Sequence, residues 1–344
     1  MLQITETRQA HLALVVAQLA WSGFHIVYQT AGFDPLLFAC IREVLASLCM
    51  IAICYAFGTL PSWRPTPRSC ILTFVVCGYC SFLNVVGSLF ALQYLGAATF
   101  SIFQPLIPVV TAVLSCREEK MGLGRCLGII MAVGGAVLVE TQKVQQNGLS
   151  ALAKSSTMLG LVSVATQVTA MSTLIIIQRY AMQDQGHESS AFTLQYYLVG
   201  TAFSIGFLLL RSATWSAGNE RNASTNTSFD AAAICALIYA ATIATALAYN
   251  CITFASRRLP SGTVTLYVCL QPLFTGVLSY VVLRLPVTVG QVWGALLVCA
   301  GLGVTVHFAP GAAPAAASSS PSMYFSERQR QETVQVATLF VNYL

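Results

Sequence analysis

Charge is what this sequence has least of. Asp, Glu, Lys and Arg make up 8% of its 344 residues, against about a quarter in a typical soluble domain. So few charges cannot cover a water-facing surface, which excludes a soluble enzyme and a disordered chain. The net charge of +5 comes from bases scattered between apolar runs rather than gathered in a patch, so no nucleic-acid partner is expected. Histidine is scarce too, at 4 residues beside 12 acids. No Ser/His/Asp set, paired carboxylates or two-His metal site stands in the apolar runs, so no enzyme activity, metal or cofactor is expected. Cysteine is not scarce, with 12 residues, but Cys40, Cys49, Cys54, Cys251, Cys269 and Cys299 lie inside apolar runs, where Cys behaves as a small hydrophobe. Cys77-Gly-Tyr-Cys80 has metal-site spacing and no second pair to complete it.

What fills the chain is apolar: 56% of residues are hydrophobic and the mean hydropathy is +0.72. Crossing a bilayer as a helix takes about 20 such residues. Ten segments qualify: 11–29, 35–57, 70–91, 97–115, 122–140, 157–177, 191–210, 231–254, 262–283 and 288–308. The expected fold is all-α and integral to the membrane. Residues 1–10 are polar and mixed in charge, and the first apolar run is long enough to span, so it reads as a membrane helix rather than a cleaved leader. With the N-terminus in the cytoplasm, Arg8, Arg64, Arg68, Arg117, Lys120, Arg125, Arg179, Arg257, Arg258, Arg328 and Arg330 fall inside; they are 11 of the 17 basic residues. Lys143, Lys154, Arg211, Arg221 and Arg284 fall outside. The positive-inside rule therefore puts both termini in the cytoplasm. Asn222-Ala-Ser224 and Asn226-Thr-Ser228 match the N-glycosylation acceptor pattern and face outward in this topology. Residues 309–322 are only Ala, Pro, Gly and Ser, so 309–344 reads as a mostly disordered cytoplasmic tail.

The chain repeats itself. Residues 90–115 align with 254–279, and Pro108-Val-Val-Thr111-Ala-Val113-Leu114-Ser115 meets Pro272-Leu-Phe-Thr275-Gly-Val277-Leu278-Ser279. Gly124, Gly128 and Gly135 then align with Gly290, Gly294 and Gly301. A shared Gln-Pro-Leu at 104–106 and 271–273 suggests another register; the first pairs more positions. The repeats are 11–140 and 157–308, joined by a linker at 141–156. Five spans per half is an odd number, so the halves insert in opposite senses. Two inverted five-helix repeats are an architecture of secondary transporters, which alternate between two related states. Gly124, Gly128, Gly290 and Gly294 put small residues four apart on one helix face, for close helix packing.

These residues resemble the drug/metabolite transporter superfamily of EamA type. The likeness runs through 11–308. It rests on Trp21-Ser-Gly23, on Arg42 followed by Ala46, on Ala91-Leu-Gln-Tyr-Leu95-Gly-Ala-Ala-Thr99 leading to Pro108, on Glu118-Glu119, and on Leu259-Pro-Ser-Gly262 leading to Gln271-Pro272. Ala97-Ala-Thr-Phe-Ser101 up to Pro108 is similar to the plant walls-are-thin, nodulin-like branch. The chain departs from the pattern at Arg284-Leu-Pro286, where a second acidic turn is absent, and at Thr169-Ala-Met171, where a Trp is common. The resemblance implies an alternating-access carrier with a central cavity lined by both halves.

Polar residues inside the spans are the candidates for the substrate pathway. Arg42 and Glu43 are charges inside the second span, where charge is costly and marks function or an internal partner. Neighbours on a helix point about 100° apart, so the two are not expected to satisfy each other fully, with one facing the cavity and the other a neighbouring helix. Arg42 also suits a packing anchor bonded to backbone carbonyls. Burial favours the protonated form of a carboxylate, so Glu43 is a candidate for proton coupling. Gln18, Ser22, His25 and Gln29 share one face of the first span, and His25 titrates near neutral pH. Asn84, Gln104, Gln167, Tyr249, Asn250, Tyr267 and Gln271 are the other polar groups at mid-membrane. Pro108 and Pro272 free a carbonyl each and suit a bend in equivalent helices. With one buried cation, sugar phosphates fit poorly. The expectation is a secondary transporter for a small-molecule solute, amino acids or related organic metabolites, in contact with the lipid bilayer. A nucleotide-sugar-type antiporter of the secretory pathway is the second reading, and a membrane enzyme or receptor the reading from another class. The plasma membrane is the expected location, ahead of vacuolar and Golgi membranes. Neither monomer nor homodimer is favoured.

Overall fold

The computed structural model describes residues 2–29, 34–59, 68–115, 122–147, 156–184, 188–216, 231–283 and 288–308. Every regular element among them is helical. In order these are α1 (Leu2–Gln29), α2 (Pro35–Ala56), α3 (Arg68–Phe103), α4 (Leu106–Leu114), α5 (Leu123–Asn147), α6 (Ser156–Asp184) and α7 (Ser189–Ser216). Then α8 (Ala231–Ala241) passes through a π-helical turn, Thr242–Leu247, into α9 (Ala248–Ser256). Likewise α10 (Ser261–Leu266) passes through a 3₁₀ turn, Tyr267–Leu270, into α11 (Gln271–Leu283), and α12 is Val289–His307. Helices satisfy their own backbone groups, as a bilayer demands. Seven stretches among the described residues are long and apolar enough to cross a membrane: Leu36–Ala56, Ile71–Leu95, Met158–Met182, Ser189–Arg211, Ala233–Ser256, Ser261–Leu278 and Val289–His307. Leu123–Val139 in α5 is apolar but shorter.

Local chemistry sets the helix starts. Asp34 caps α2, its Oδ1 accepting from the N–H groups of Leu36 and Leu37 at 3.0 and 3.1 Å. Pro35 follows in the first turn, where no donor is needed. The same carboxylate pairs with Arg211 of α7 at 3.2 Å, which ties the two helices together. Before α12, Thr288 and Gln291 form a reciprocal capping box.

One boundary differs from the sequence reading. A connection was expected near 92–96, yet α3 runs straight through it and the break falls at Gln104-Pro105. Gly96 alone does not interrupt a helix. Pro105 has no N–H to donate and disfavours helical backbone in the residue before it. Pro108 then sits in the first turn of α4, where its missing donor costs nothing, so the interruption lies three residues earlier than the proline expected to mark it.

Packing follows a regular scheme. α3 lies against α6 and α7, while α1 lies against α9 and α11. α2 touches α7 and α8, and α4 touches α6 and α10. The seam between α5 and α12 is built on glycine. A Cβ placed on Gly128 would sit 2.8 Å from the Gly301 carbonyl oxygen, and one on Gly301 would sit 2.6 Å from that of Gly128. Gly135 and Gly294 stand in the same mutual relation, at 2.6 and 2.7 Å. No side chain fits there, so the backbones themselves meet. Gly124 lies beneath the Phe308 ring, and Gly290 stands in the first turn of α12. Rising residue numbers in α5 meet falling numbers in α12, so the two helices run antiparallel.

A cavity walled by glutamines and an ion pair

Each polar side chain that reaches the interior does so from a helix that is otherwise apolar. Trp21 and Phe24 of α1, Arg42 of α2 and Asn84, Ser88 and Phe100 of α3 line one cavity. Val85 and Leu92 of α3, Gln104 at the α3–α4 break, Ile107 of α4, Gln167 and Met171 of α6, Ala244 of the π turn, Tyr249 of α9 and Gln271 of α11 complete it. Its volume is about 70 Å³, room for a few water molecules.

A chain of amides crosses the cavity wall. Asn84 Nδ2 donates to Tyr249 Oη at 2.8 Å, and Asn84 Oδ1 accepts from Gln167 Nε2 at 3.0 Å. Gln167 and Gln104 face each other at 3.3 and 3.4 Å. A second glutamine pair joins α11 to α1, with Gln271 Nε2 donating to Gln18 Oε1 at 2.9 Å. Ser22 adds a bond to the Gln271 backbone carbonyl at 3.1 Å. The outer atoms of this second pair, Gln18 Nε2 and Gln271 Oε1, are buried without a protein partner. Buried polar atoms are rarely left so, and Gln271 stands on the cavity wall.

Charge enters through one pair. Arg42 Nη2 donates to Glu43 Oε1 at 2.6 Å and Arg42 Nε to the same oxygen at 3.2 Å. Tyr197 Oη of α7 also donates to that oxygen, at 2.8 Å. The two adjacent residues therefore pair more fully than their directions on the helix suggest. Their Cα–Cβ bonds diverge, but the arginine side chain is long enough to turn back along the helix and reach its neighbour. The split of faces does hold: Arg42 lines the cavity, whereas Glu43 points toward α7 and does not. The Phe24 ring lies 5.6 Å from the Arg42 guanidinium carbon, within cation–π range.

The aromatic wall is anchored by hydrogen bonds. Trp21 Nε1 donates to the Ala244 carbonyl at 2.8 Å. That carbonyl belongs to the π turn, a helix irregularity that recurs at functional sites. Tyr249 packs edge-on to Trp21 and Tyr197, with ring centroids 5.8 and 5.3 Å away.

Of the residues singled out in the sequence, Arg42, Asn84, Gln104, Gln167, Tyr249 and Gln271 meet at this cavity. Asn250 instead donates to the Ala246 carbonyl of its own helical segment, at 2.7 Å. Tyr267 meets His11 Nδ1 at 2.7 Å. Neither Asn250 nor Tyr267 lines the cavity. The His25 backbone lies in α1, but its side chain is outside the described residues, as are Asn222, Asn226 and everything beyond Phe308. Pro272 follows the 3₁₀ turn as the second residue of α11. Phe24, Ser88, Met171, Ala244 and Tyr197 were not read as site residues. Tyr197 and Ser88 carried a signal, a hydroxyl inside an apolar run that needs a partner when buried.

The profile of the EamA-like transporter family matches residues 8–141 and 158–306. This chain belongs to the EamA-like transporter family. An EamA-family protein is a membrane transporter and not an enzyme. An auxin-induced protein of Pinus taeda is 22% identical over 98% of this chain and 88% of its own length. An uncharacterized transporter of Archaeoglobus fulgidus is 22% identical over 86% of this chain and 97% of its own length. A WAT1-related protein of Arabidopsis thaliana is 25% identical over 40% of this chain and 38% of its own length. These likenesses are consistent with the drug/metabolite transporter superfamily and with similarity to its plant walls-are-thin branch. A solved crystal structure superposes with a TM-score of 0.69 at 15% identity, over 87% of this chain and 98% of that one. That likeness is one of fold.

Proposed function

We propose that this EamA protein is an alternating-access carrier of small organic metabolites, with amino acids and related organic solutes as its substrates. The observation that carries the reading is a polar cavity walled by helices from both halves of the sequence. The cavity offers one cation at Arg42, an unpartnered acceptor at Gln271 Oε1 and aromatic walls. That set suits a solute with a carboxylate, an N–H donor and an apolar body. Proton coupling through Glu43 belongs to the same reading, since Glu43 is the buried acid next to the cavity cation.

The proposed architecture is ten spans in two inverted five-helix repeats, 11–140 and 157–308, with 141–156 as linker and a cytoplasmic tail from 309. Support comes from reciprocal packing. Gly128 corresponds to Gly294 and Gly135 to Gly301, and the contacts are Gly128 with Gly301 and Gly135 with Gly294. Contact of each residue with the partner of the other is what a two-fold axis produces. The glutamine pairs behave alike, Gln104 reaching from the fourth span to the sixth and Gln271 from the ninth to the first. That likeness favours aligning Gln-Pro-Leu 104–106 with 271–273, the register set aside in the sequence reading. The basic residues favour cytoplasmic termini, and the plasma membrane is the proposed location.

The test is counterflow in proteoliposomes preloaded with a panel of amino acids, organic acids and nucleotide sugars, with and without a pH gradient. Saturable exchange of an amino acid or organic acid that follows the gradient supports the reading. Exchange of nucleotide sugars alone replaces it with the antiporter reading. No exchange of any solute by folded protein overturns both.

A further inference from the structure

Glu43 holds Arg42 from the α7 side in the way a solute's own carboxylate would hold it. Its Oε1 accepts from two guanidinium nitrogens and from Tyr197 at once, which gathers three donors on one oxygen. Arg42 keeps Nη1 without a protein acceptor among the described residues, and Arg42 is the only charged side chain on the cavity wall there. Glu43 is 2% exposed and lies behind it. The cation is thus neutralised from the protein side and open on the solute side.

We propose that Glu43 is a built-in stand-in for a solute carboxylate: a carboxylate-bearing solute takes its place on Arg42, and Glu43 takes up one proton from water as it is displaced. This rests on the carrier reading and goes further by naming the group the solute replaces and the proton that moves. The charges balance. Before entry, one cation faces one anion. A second carboxylate alone would leave two anions on one cation, and like-charge repulsion favours protonation of the one left without the guanidinium. Afterwards Arg42 pairs with the solute, and neutral Glu43 keeps Tyr197 as a neighbour. No covalent bond forms or breaks. The titratable side chains around the pair are Tyr28 on α1, Cys40 on α2, Tyr197 on α7 and Tyr249 on α9. Asp34 is engaged by Arg211. None of these offers Arg42 a second carboxylate, so an anion that reaches Nη1 competes with Glu43 alone. A neutral amide of the same shape gains nothing from the exchange and carries no proton with it.

The test is calorimetry on the purified full chain with benzoate and benzamide, at two values one pH unit apart and in buffers of different ionisation enthalpy. Benzoate suits the aromatic wall. The wild type is expected to bind benzoate about tenfold tighter at the lower pH, with about one proton taken up per benzoate. Benzamide should show neither effect. Glu43→Gln should bind benzoate more tightly than the wild type at the higher pH and with no proton uptake. The double variant R42Q/E43Q leaves no lone buried charge to unfold the protein, and it should lose all preference for benzoate over benzamide. Benzoate binding without proton uptake, a double variant that keeps the preference, or no benzoate binding by folded wild type would each overturn the proposal. Counterflow of the solute panel by the same preparation reports on the carrier reading separately: exchange that persists beside any of those three results leaves a carrier without this device.

Discussion

At the α5–α12 seam the protein removes side chains so that backbones meet; around the cavity it places large polar side chains where space is left over. Both regions join residues from the first part of the sequence to residues from the second, for opposite ends. Gly128, Gly135, Gly294 and Gly301 leave no room for even a methyl group, so the seam has one arrangement. At the cavity wall Gln271 Oε1 lacks a partner, as does Gln18 Nε2 beside it, and Arg42 lines the same wall, so the groups there can bind something else. A carrier needs both: a fixed contact between halves, and a polar centre whose bonds can be exchanged.

The largest effect should come from splitting the ion pair. Arg42→Gln leaves Glu43 buried without its cation, and thermal unfolding in detergent should show a loss of about 3–5 kcal/mol. R42Q/E43Q should recover most of that loss, because removing both charges leaves nothing unpaired. If the single variant is as stable as the double, the pair is not what holds this region.

Overpacking the seam ranks next. Gly135→Val should cost about 1–3 kcal/mol, read as the same shift in unfolding. Its neighbour sharpens the comparison. A Cβ on Gly134 meets nothing within 4 Å, so Gly134→Ala should be neutral or stabilise by up to about 1 kcal/mol. Equal responses at these two adjacent positions would refute the seam.

The smallest stability changes belong to the amides, though their transport effects should be large. Gln271→Ala removes one hydrogen bond, worth about 1 kcal/mol, and should raise the KM for the transported solute with little change in unfolding. Asn250→Ala serves as its contrast. Asn250 bonds only within its own helix, so its loss should leave KM unchanged.

Much of the cavity was legible because a polar residue in an apolar run has few explanations. Arg42, Asn84, Gln104, Gln167 and Gln271 were all found that way. The same logic drew in Asn250 and Tyr267, because composition says that a group is buried but not which neighbour it faces. Apolar lining such as Met171 and Ala244 carries no signal at all, since it looks like every other core residue. The π turn at Thr242–Leu247 has no Pro or Gly to announce it. The α3–α4 boundary was misplaced because 92–96, ending at Gly96, reads as a connection, whereas Pro105 is what interrupts the helix. The Arg42–Glu43 pair shows that backbone direction limits short side chains more than long ones.

The central claim is that one cavity, shared by two halves, opens to either side of the membrane in turn. Ser88 lies on its wall with a small side chain bonded only to the Val85 carbonyl. Ser88→Cys, in a background with the native cysteines replaced, can be exposed in sealed vesicles to a membrane-impermeant thiol reagent from one side or the other. The account predicts modification from both sides and protection from both by transported solute. Modification from one side only, whatever solute is present, would contradict it.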